Sequence, residues 1–466
     1  MSDAPVTTAT RAPFDPAELR PSPRRRPAPV PRPAVADLAA GLAGLGFGAV
    51  LAAVITGESP GSLAAPGGLL IAAGRFAGLT GTYLMLIMVV LVARLPWLEL
   101  AVGQDRLVRW HRRTSPWALG LIAVHVVLIT LGYAAAAKSG LPRELWALLS
   151  SYPDMLAAAV GFALIVTAGV TSYRRVRSRM RYETWWVVHL YLYLGLALAF
   201  THQIVTGVAF ITHPLVRALW MLIWIATAGV VVVYRIGQPI LLSARHRLRI
   251  VEVRDEAPDV VSVICHGRRL NELAVSGGQF FHWRFLTPGL WWQSHPYSLS
   301  ALPSPPFLRV TVKGLGDSSR AIARLHPGTR VAIEGPYGAF TRHARGSDSV
   351  ALIGAGVGVT PLRALLEDLP DETDVVMLVR ASTADDVVHG DEIAALVRER
   401  GGRLHEIVGS RHKVRLNARA LRRLVPDIAQ RDIYVCGPAG FSAEIAAAMS
   451  QLGVTADQIH QETFAF

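Results

Sequence analysis

From Thr114 to Ala136 the chain reads TSPWALGLIAVHVVLITLGYAAA, with no Asp, Glu, Lys or Arg and with one histidine, His125, at its centre. About 20 apolar residues are what a helix needs to cross the hydrocarbon of a bilayer. Only a helix or a closed barrel satisfies the backbone there. Five further stretches of spanning length flank this one, near 36–56, 76–94, 155–171, 184–209 and 214–234. Residues 36–240 therefore read as a membrane bundle of six spans.

The composition agrees. Of 466 residues 52% are hydrophobic and 17% charged, and 47 Lys plus Arg stand against 34 Asp plus Glu, a formal charge of +13. Average soluble domains carry about 25% charged residues. Disorder over the whole chain and a small disulfide scaffold are excluded, and two cysteines, Cys265 and Cys436, make no metal site alone. The positive charge sits mostly in particular connectors: Arg94, Arg106, Arg109, Arg112 and Arg113 after the second span, Arg174 to Arg181 after the fourth, and Arg235 to Arg249 after the sixth. The other connectors hold few basic residues. This alternation is the positive-inside pattern, with both termini cytoplasmic in the plasma membrane. It reads as topology and not as affinity for nucleic acid. Residues 1–35, rich in Pro and Arg, read as a disordered basic tail.

Beyond about 245 the pattern changes. Alternating runs such as Leu248–Val253 and Phe307–Val312, with Gly/Pro turns between them, predict a β-barrel over 245–345. Over 346–466 strands at 350–353, 374–379 and 432–435 alternate with helical stretches, which predicts an α/β domain with a parallel sheet.

His111 and His125 fall on the third span, and His189 and His202 on the fifth. The two spans run in the same direction, so the histidines pair by depth, with the pairs about 20 Å apart along the helices. A single histidine in a span is ordinarily a polar residue bonded to a neighbouring helix. Four paired in this way suit axial ligation of two haem irons inside a helical bundle. Fourteen residues return a helix to within about 40° of one face, whereas thirteen fall about 140° away. Either the outer pair is laterally offset or the fifth span tightens near Gly195. Arg75, at the outer end of the second span, reads either as a snorkelling side chain or as a cation beside the outer site.

Two Gly-rich turns mark nucleotide chemistry. Lys313-Gly314-Leu315-Gly316-Asp317-Ser318-Ser319 opens a helical stretch with backbone N–H groups and the hydroxyls of Ser318 and Ser319. Gly354-Ala355-Gly356-Val357-Gly358-Val359-Thr360-Pro361 follows a strand and leads into a helix, where Gly354, Gly356 and Gly358 let the backbone approach a pyrophosphate. Arg380 ends the next strand, where an acidic residue would favour NADH. An arginine there suits the 2′-phosphate of NADPH, with NADH as the alternative.

With the histidine pairs and His295-Pro296-Tyr297-Ser298-Leu299-Ser300, residues 70–466 resemble the NADPH oxidase and ferric reductase superfamily. The resemblance implies FAD, two haem b groups and NADPH. It implies that the aromatic residue of the His295-Pro296-Tyr297-Ser298 motif packs on the isoalloxazine while Ser298 meets its polar edge. Soluble ferredoxin-reductase relatives usually carry Arg where His295 stands. The resemblance further implies that Cys436-Gly437-Pro438 borders the nicotinamide and that an aromatic residue near the C-terminus, Phe464 or Phe466, shields the flavin. A plain hydrophobic strand residue is the alternative reading of either Phe. The implied activity moves electrons across the membrane to an outside acceptor, oxygen or a ferric chelate. The alternatives are a membrane module donating electrons to a separate protein, and a transporter or signalling protein with a vestigial reductase domain.

Overall fold

The computed structural model describes Arg26, residues 33–410 and residues 414–464. The basic tail and Phe466 lie outside the described residues, apart from Arg26 and residues 33–35. The chain divides into two compact units that part between Ile236 and Gly237.

In the first unit, six helices among the described residues are long and apolar enough to cross a membrane. They are α1 (Pro33–Thr56), α2 (Gly68–Leu91), α3 (Gln104–Ala137), α4 (Met155–Ser172), α5 (Tyr182–Thr206) and α6 (Pro214–Val231). The second begins at Gly68, ahead of the expected position near 76, because the charge of Arg75 does not end the span. The helix carries on through the arginine, a good helix former, and Glu58 pairs with it at 2.8 Å. The helix α3 also extends back through the basic segment to Gln104. Large apolar side chains face outward along these helices, among them Val124, Val127, Leu156, Leu222 and Ile225. That is what lipid-facing surfaces require. Helices α4 and α5 approach closely where Gly161 faces Gly195, and a Cβ on either glycine would press on the other's carbonyl. Small residues permit such backbone contact. No tightening occurs near Gly195, since α5 is α-helical from end to end.

The second unit begins with a helix, Gln238–His246, held to the sheet by hydrogen bonds between Ser243 and the Ile333 main chain. Six antiparallel strands follow: β1 (Leu248–Ala257), β2 (Val260–His266), β3 (Phe280–Phe285), β4 (His295–Ser298), β5 (Phe307–Lys313) and β6 (Arg330–Tyr337), in the order β4-β3-β6-β1-β2-β5. A bridge from Leu299 to Val310 brings the chain after β4 to β5, so the two edge strands approach closure. Phe281, Trp283, Phe285, Leu308 and Val310 fill the interior. Alternation along each strand directs these residues inward.

Five parallel strands complete the unit: β7 (Ser349–Ala355), β8 (Asp374–Ala381), β9 (Arg403–Val408), β10 (Asp432–Pro438) and β11 (Ile459–Phe464), in the order β11-β10-β7-β8-β9. The order reverses between β7 and β10. Open α/β sheets bind ligands outside the carboxyl ends of the strands at such a switch point. Helix α7 (Val359–Asp368) follows β7 and α8 (Ala439–Gln451) follows β10. The expected membrane bundle, β-barrel and parallel α/β sheet are all present.

Candidate functional site

The histidines predicted to pair by depth do pair. His111 on α3 and His189 on α5 have ring centroids 6.3 Å apart with the planes at 71°. Two axial imidazoles on one metal ion stand about 6 Å apart between centroids, given metal–nitrogen bonds of about 2 Å. His111 Nδ1 lies 3.2 Å from the Met88 carbonyl, and His189 Nδ1 lies 3.2 Å from Ser172 Oγ. With Nδ1 engaged in each, Nε2 is the nitrogen that could serve a metal ion. The neighbouring Arg109, Arg112 and Arg113 are exposed.

At the other level His125 and His202 line one cavity of about 470 Å³, together with Met85, Ile122, Phe162, Leu196 and other largely apolar side chains. Cofactor sites have volumes of roughly 300–1,000 Å³. His125 Nδ1 is 2.8 Å from the Gly74 carbonyl. A Cβ at Gly78 would stand 2.6 Å from that same nitrogen, so the ring sits in a cradle that only glycine leaves open. His202 Nδ1 is buried without a hydrogen-bond partner among the described residues. Among the described residues no cluster of three or more His, Cys, Asp or Glu is placed to hold a metal. Two histidines at each place are a donor set that a porphyrin's four nitrogens would complete.

Arg75 lines the outer cavity, and so does Glu58. Both oxygens of Glu58 are held, Oε1 by Arg75 Nη1 at 2.8 Å and Oε2 by Ser62 Oγ at 3.1 Å. The arginine is therefore neutralised where it meets the cavity.

In the barrel, His295 and Tyr297 alternate on the edge strand β4 and so share a face, with rings 5.8 Å apart and nearly parallel at 14°. Trp283 Nε1 donates to the Tyr297 carbonyl at 3.0 Å, which fixes the strand. Burial, and then the charge of Arg284, push the pKa of His295 below its ordinary value, so the ring is neutral at pH 7. Burial pushes the Tyr297 phenol up. Pro296 is exposed and Ser298 buried. His295 Nε2 and the nearby Ser300 Oγ are buried without hydrogen-bond partners among the described residues. Buried orphan polar atoms beside a flat aromatic pair fit a polar, planar ligand such as a flavin. In the turn after β5 the expected hydroxyls are already engaged. Ser319 Oγ accepts from Leu315 N and Gly316 N at 2.9 Å each, and Ser318 Oγ donates to Gln293 at 2.6 Å.

At the switch point of the parallel sheet, Gly356 has φ +54°, which favours glycine. A Cβ at Gly358 would collide with the Cys436 carbonyl. Thr360 Oγ1 closes the turn on the Val357 carbonyl at 2.9 Å, and Pro361 follows it in the first turn of α7. Gly354 and Gly437 occupy equally tight places, against Val359 and Phe441. Phe464 sits opposite Pro438 in the register of β11 and β10, at this same edge.

Two of the expected site residues are also engaged within the fold. Cys436 is fully buried in an apolar cluster with Leu352, Val359 and Tyr434. Burial, with Glu462 adding to it, pushes its thiol well up. Its side chain is core, and the turn borders the edge through Gly437 and Pro438. The Arg380 guanidinium is already clasped by the carbonyls of Ala381, Ile407 and Val414, because those groups end neighbouring segments around the tip of β8.

Glu58, Gly74, Gly78, Ser172, Trp185 and Gln293 were not singled out in the sequence. Gly74-Arg75-Phe76-Ala77-Gly78 did carry a signal, since small residues four apart mark a close helix–helix contact. Glu58, Ser172 and Gln293 act through partners distant in sequence.

Comparison with known proteins gives three domain matches in chain order. Residues 77–200 match the ferric reductase like transmembrane component, 246–341 an FAD-binding domain and 352–447 an oxidoreductase NAD-binding domain. An NADPH oxidoreductase of Mycobacterium tuberculosis (strain ATCC 25618 / H37Rv) is 32% identical over 237 residues, which is 48% of this chain and 62% of the relative. The stachydrine N-demethylase reductase subunit Stc4 of Rhizobium meliloti (strain 1021) is 29% identical over 45% of this chain and 64% of the relative. This chain thus spans less than two thirds of the length of these curated relatives. Among solved structures, the flavohem-like FAD/NAD-binding domain of nitric oxide dioxygenase from Vibrio cholerae O1 biovar El Tor covers 47% of this chain and 98% of its own at 25% identity, with a TM-score of 0.40.

Proposed function

We propose, from the premise that this multi-pass membrane chain has the NADPH oxidase and ferric reductase architecture and is an NAD(P)H oxidoreductase, that it carries electrons from cytoplasmic NADPH to an acceptor outside the cell. When bound, NADPH supplies a hydride, FAD divides it into single electrons, and two haem b groups pass these through the bilayer. What supports the reading is the approach of His111 to His189 and the cavity that His125 and His202 share in the same bundle.

This chain's residues position and tune these groups. Gly354, Gly356 and Gly358 open the switch-point edge to a pyrophosphate, with Gly437 and Pro438 beside it. Arg380 favours NADPH, in line with the name of the Mycobacterium tuberculosis relative. His295 and Tyr297 offer a neutral aromatic face to the flavin, with Ser298 at its polar edge and Phe464 or Phe466 as its shield. The turn at Gly316, Ser318 and Ser319 would release its internal hydrogen bonds to take the flavin's pyrophosphate. Two histidine levels are needed because a hydrocarbon core of about 30 Å exceeds the reach of one haem. The basic connectors support an orientation with both termini in the cytoplasm, beside the NADPH supply.

At the outer cavity the Arg75–Glu58 pair is neutral, which favours an uncharged acceptor, dioxygen, over an anionic ferric chelate. His125→Ala tests the chain of transfer. NADPH-driven flavin reduction persists and delivery of electrons outside stops. Full transmembrane activity in that variant, or a reduced spectrum lacking two b-type haems per chain, overturns the reading. A second reading, donation to a separate protein, is favoured by the Rhizobium meliloti relative, whose name is that of a reductase subunit. It predicts rapid NADPH oxidation only when that partner is present.

A further inference from the structure

Ser172 closes α4, and its hydroxyl has three neighbours. Its Oγ lies 2.7 Å from the Ala168 carbonyl, 3.1 Å from Trp185 Nε1 and 3.2 Å from His189 Nδ1. A serine hydroxyl has one proton and two lone pairs. The carbonyl only accepts and makes the shortest contact, so it takes the proton. The indole N–H only donates, so it takes one lone pair. What remains for His189 is the second lone pair, and a lone pair can only accept. The proton of His189 therefore sits on Nδ1, and Nε2 is left bare on the side of His111.

The ring plane is held as well. Trp185 stacks on His189 with centroids 5.2 Å apart and planes at 26°. The Arg177 guanidinium carbon lies 4.6 Å from the Trp185 ring centroid, a cation–π contact. The result is a layered stack of His189, Trp185 and Arg177, cross-tied by the serine. His111 and His125, by contrast, use main-chain carbonyls for the same purpose. Of these anchors, Ser172 is one that a side-chain substitution can remove.

We infer that Ser172 and Trp185 are positioning residues for the inner haem ligand His189, the serine setting its tautomer and electron donation and the tryptophan setting its plane. This rests on the haem reading above. An acceptor at Nδ1–H makes Nε2 a stronger donor to iron and favours the oxidised metal. Ser172→Ala removes the acceptor, so the inner-haem potential rises. Trp185→Phe keeps an aromatic stack but withdraws the competing N–H donor. Ser172 then accepts from His189 more strongly, and the same potential falls.

The test is an optical redox titration of the full-length protein in detergent or nanodiscs, resolved into two haem components. Ser172→Ala shifts one component upward and leaves the other in place, Ser172→Thr restores the wild-type value, and Trp185→Phe shifts that component downward. Unmoved potentials in both Ser172→Ala and Trp185→Phe, equal shifts of both components, or shifts of the same sign in the two variants overturn the proposal. If Ser172→Ala fails to accumulate, the sign of the Trp185→Phe shift decides. A wild-type protein without two b-type haems defeats the haem reading itself, whereas two haems with unmoved potentials defeat only the role of Ser172 and Trp185.

Discussion

Replacing Glu58 with glutamine separates charge from shape at the outer cavity. The amide keeps an oxygen for Arg75, at 2.8 Å in the wild type, and a partner for Ser62 Oγ, but it leaves Arg75 as an uncompensated cation on the cavity wall. Two unit charges about 7 Å apart interact by roughly 2 kcal/mol at an effective dielectric constant of about 20. The Arg75 side chain is 27% exposed, and at physiological salt the screening length is about 8 Å. Together these leave about 1 kcal/mol per unit of negative charge on the acceptor. Since 1.4 kcal/mol is tenfold, KM for an anionic ferric chelate falls about fivefold per charge in Glu58→Gln, while the oxygen dependence of superoxide formation holds. The assay is NADPH-driven reduction by purified wild type and variant, with each acceptor alone, at low and high salt. High salt erases the difference for the chelate. An equal change for charged and uncharged acceptors, or a change for the chelate that salt leaves intact, refutes the electrostatic argument.

Gly358→Ala drives a Cβ into the Cys436 carbonyl and displaces α7 from the switch-point edge. NADPH affinity measured by titration falls at least tenfold while flavin content is unchanged. Arg380→Ala raises KM for NADPH about tenfold relative to NADH, the loss of a charge-assisted contact of about 1.5–3 kcal/mol; equal changes for both nucleotides refute a 2′-phosphate role. Glu392 bonds Arg309 and Arg363, both buried, at 2.6–2.8 Å; Arg363 also pairs with Glu367 at 2.8 Å, so Glu392→Gln chiefly leaves the buried Arg309 guanidinium undercompensated and costs about 3 kcal/mol, read as a lowered Tm. Burial alone would raise the Glu392 pKa, but hydrogen bonds from Arg309 and His389, with the charges of Arg363 and Arg309, outweigh it and hold the carboxyl well below its usual range. A depressed carboxylate pKa stabilises the fold above the unfolded value and loses that contribution as pH falls through the folded one. The Tm gap between wild type and variant therefore stays constant above about pH 5 and narrows only in stronger acid.

The order of the domains and the identity of the four histidines were legible in the sequence because both depend on local pattern. Apolar length marks a span wherever it occurs, alternation marks a strand, and an ionisable residue inside a span stands out against its neighbours. The pairing by depth needed only the rise of a helix and the direction of two spans. The Gly-rich turns were legible for the same reason, since positive φ and close approach are properties of a few consecutive residues.

Tertiary structure decided what those residues touch. Arg75 looked like the end of a span, yet α2 runs through it to Gly68, and its charge is met by Glu58, seventeen positions away. Cys436 looked available in its turn, yet α7 and the sheet bury it. Arg380 looked free, yet carbonyls from the ends of β8, β9 and the following loop enclose it. The tautomer of His189 depends on Ser172 and Trp185, which a sequence shows as an ordinary helix end and an ordinary interfacial aromatic. A span, a strand or a turn is set by neighbours along the chain, so the sequence by itself determined the membrane bundle and the two soluble folds. Charge compensation, burial and proton position are set by neighbours in space, and those only the folded bundle and sheets decided.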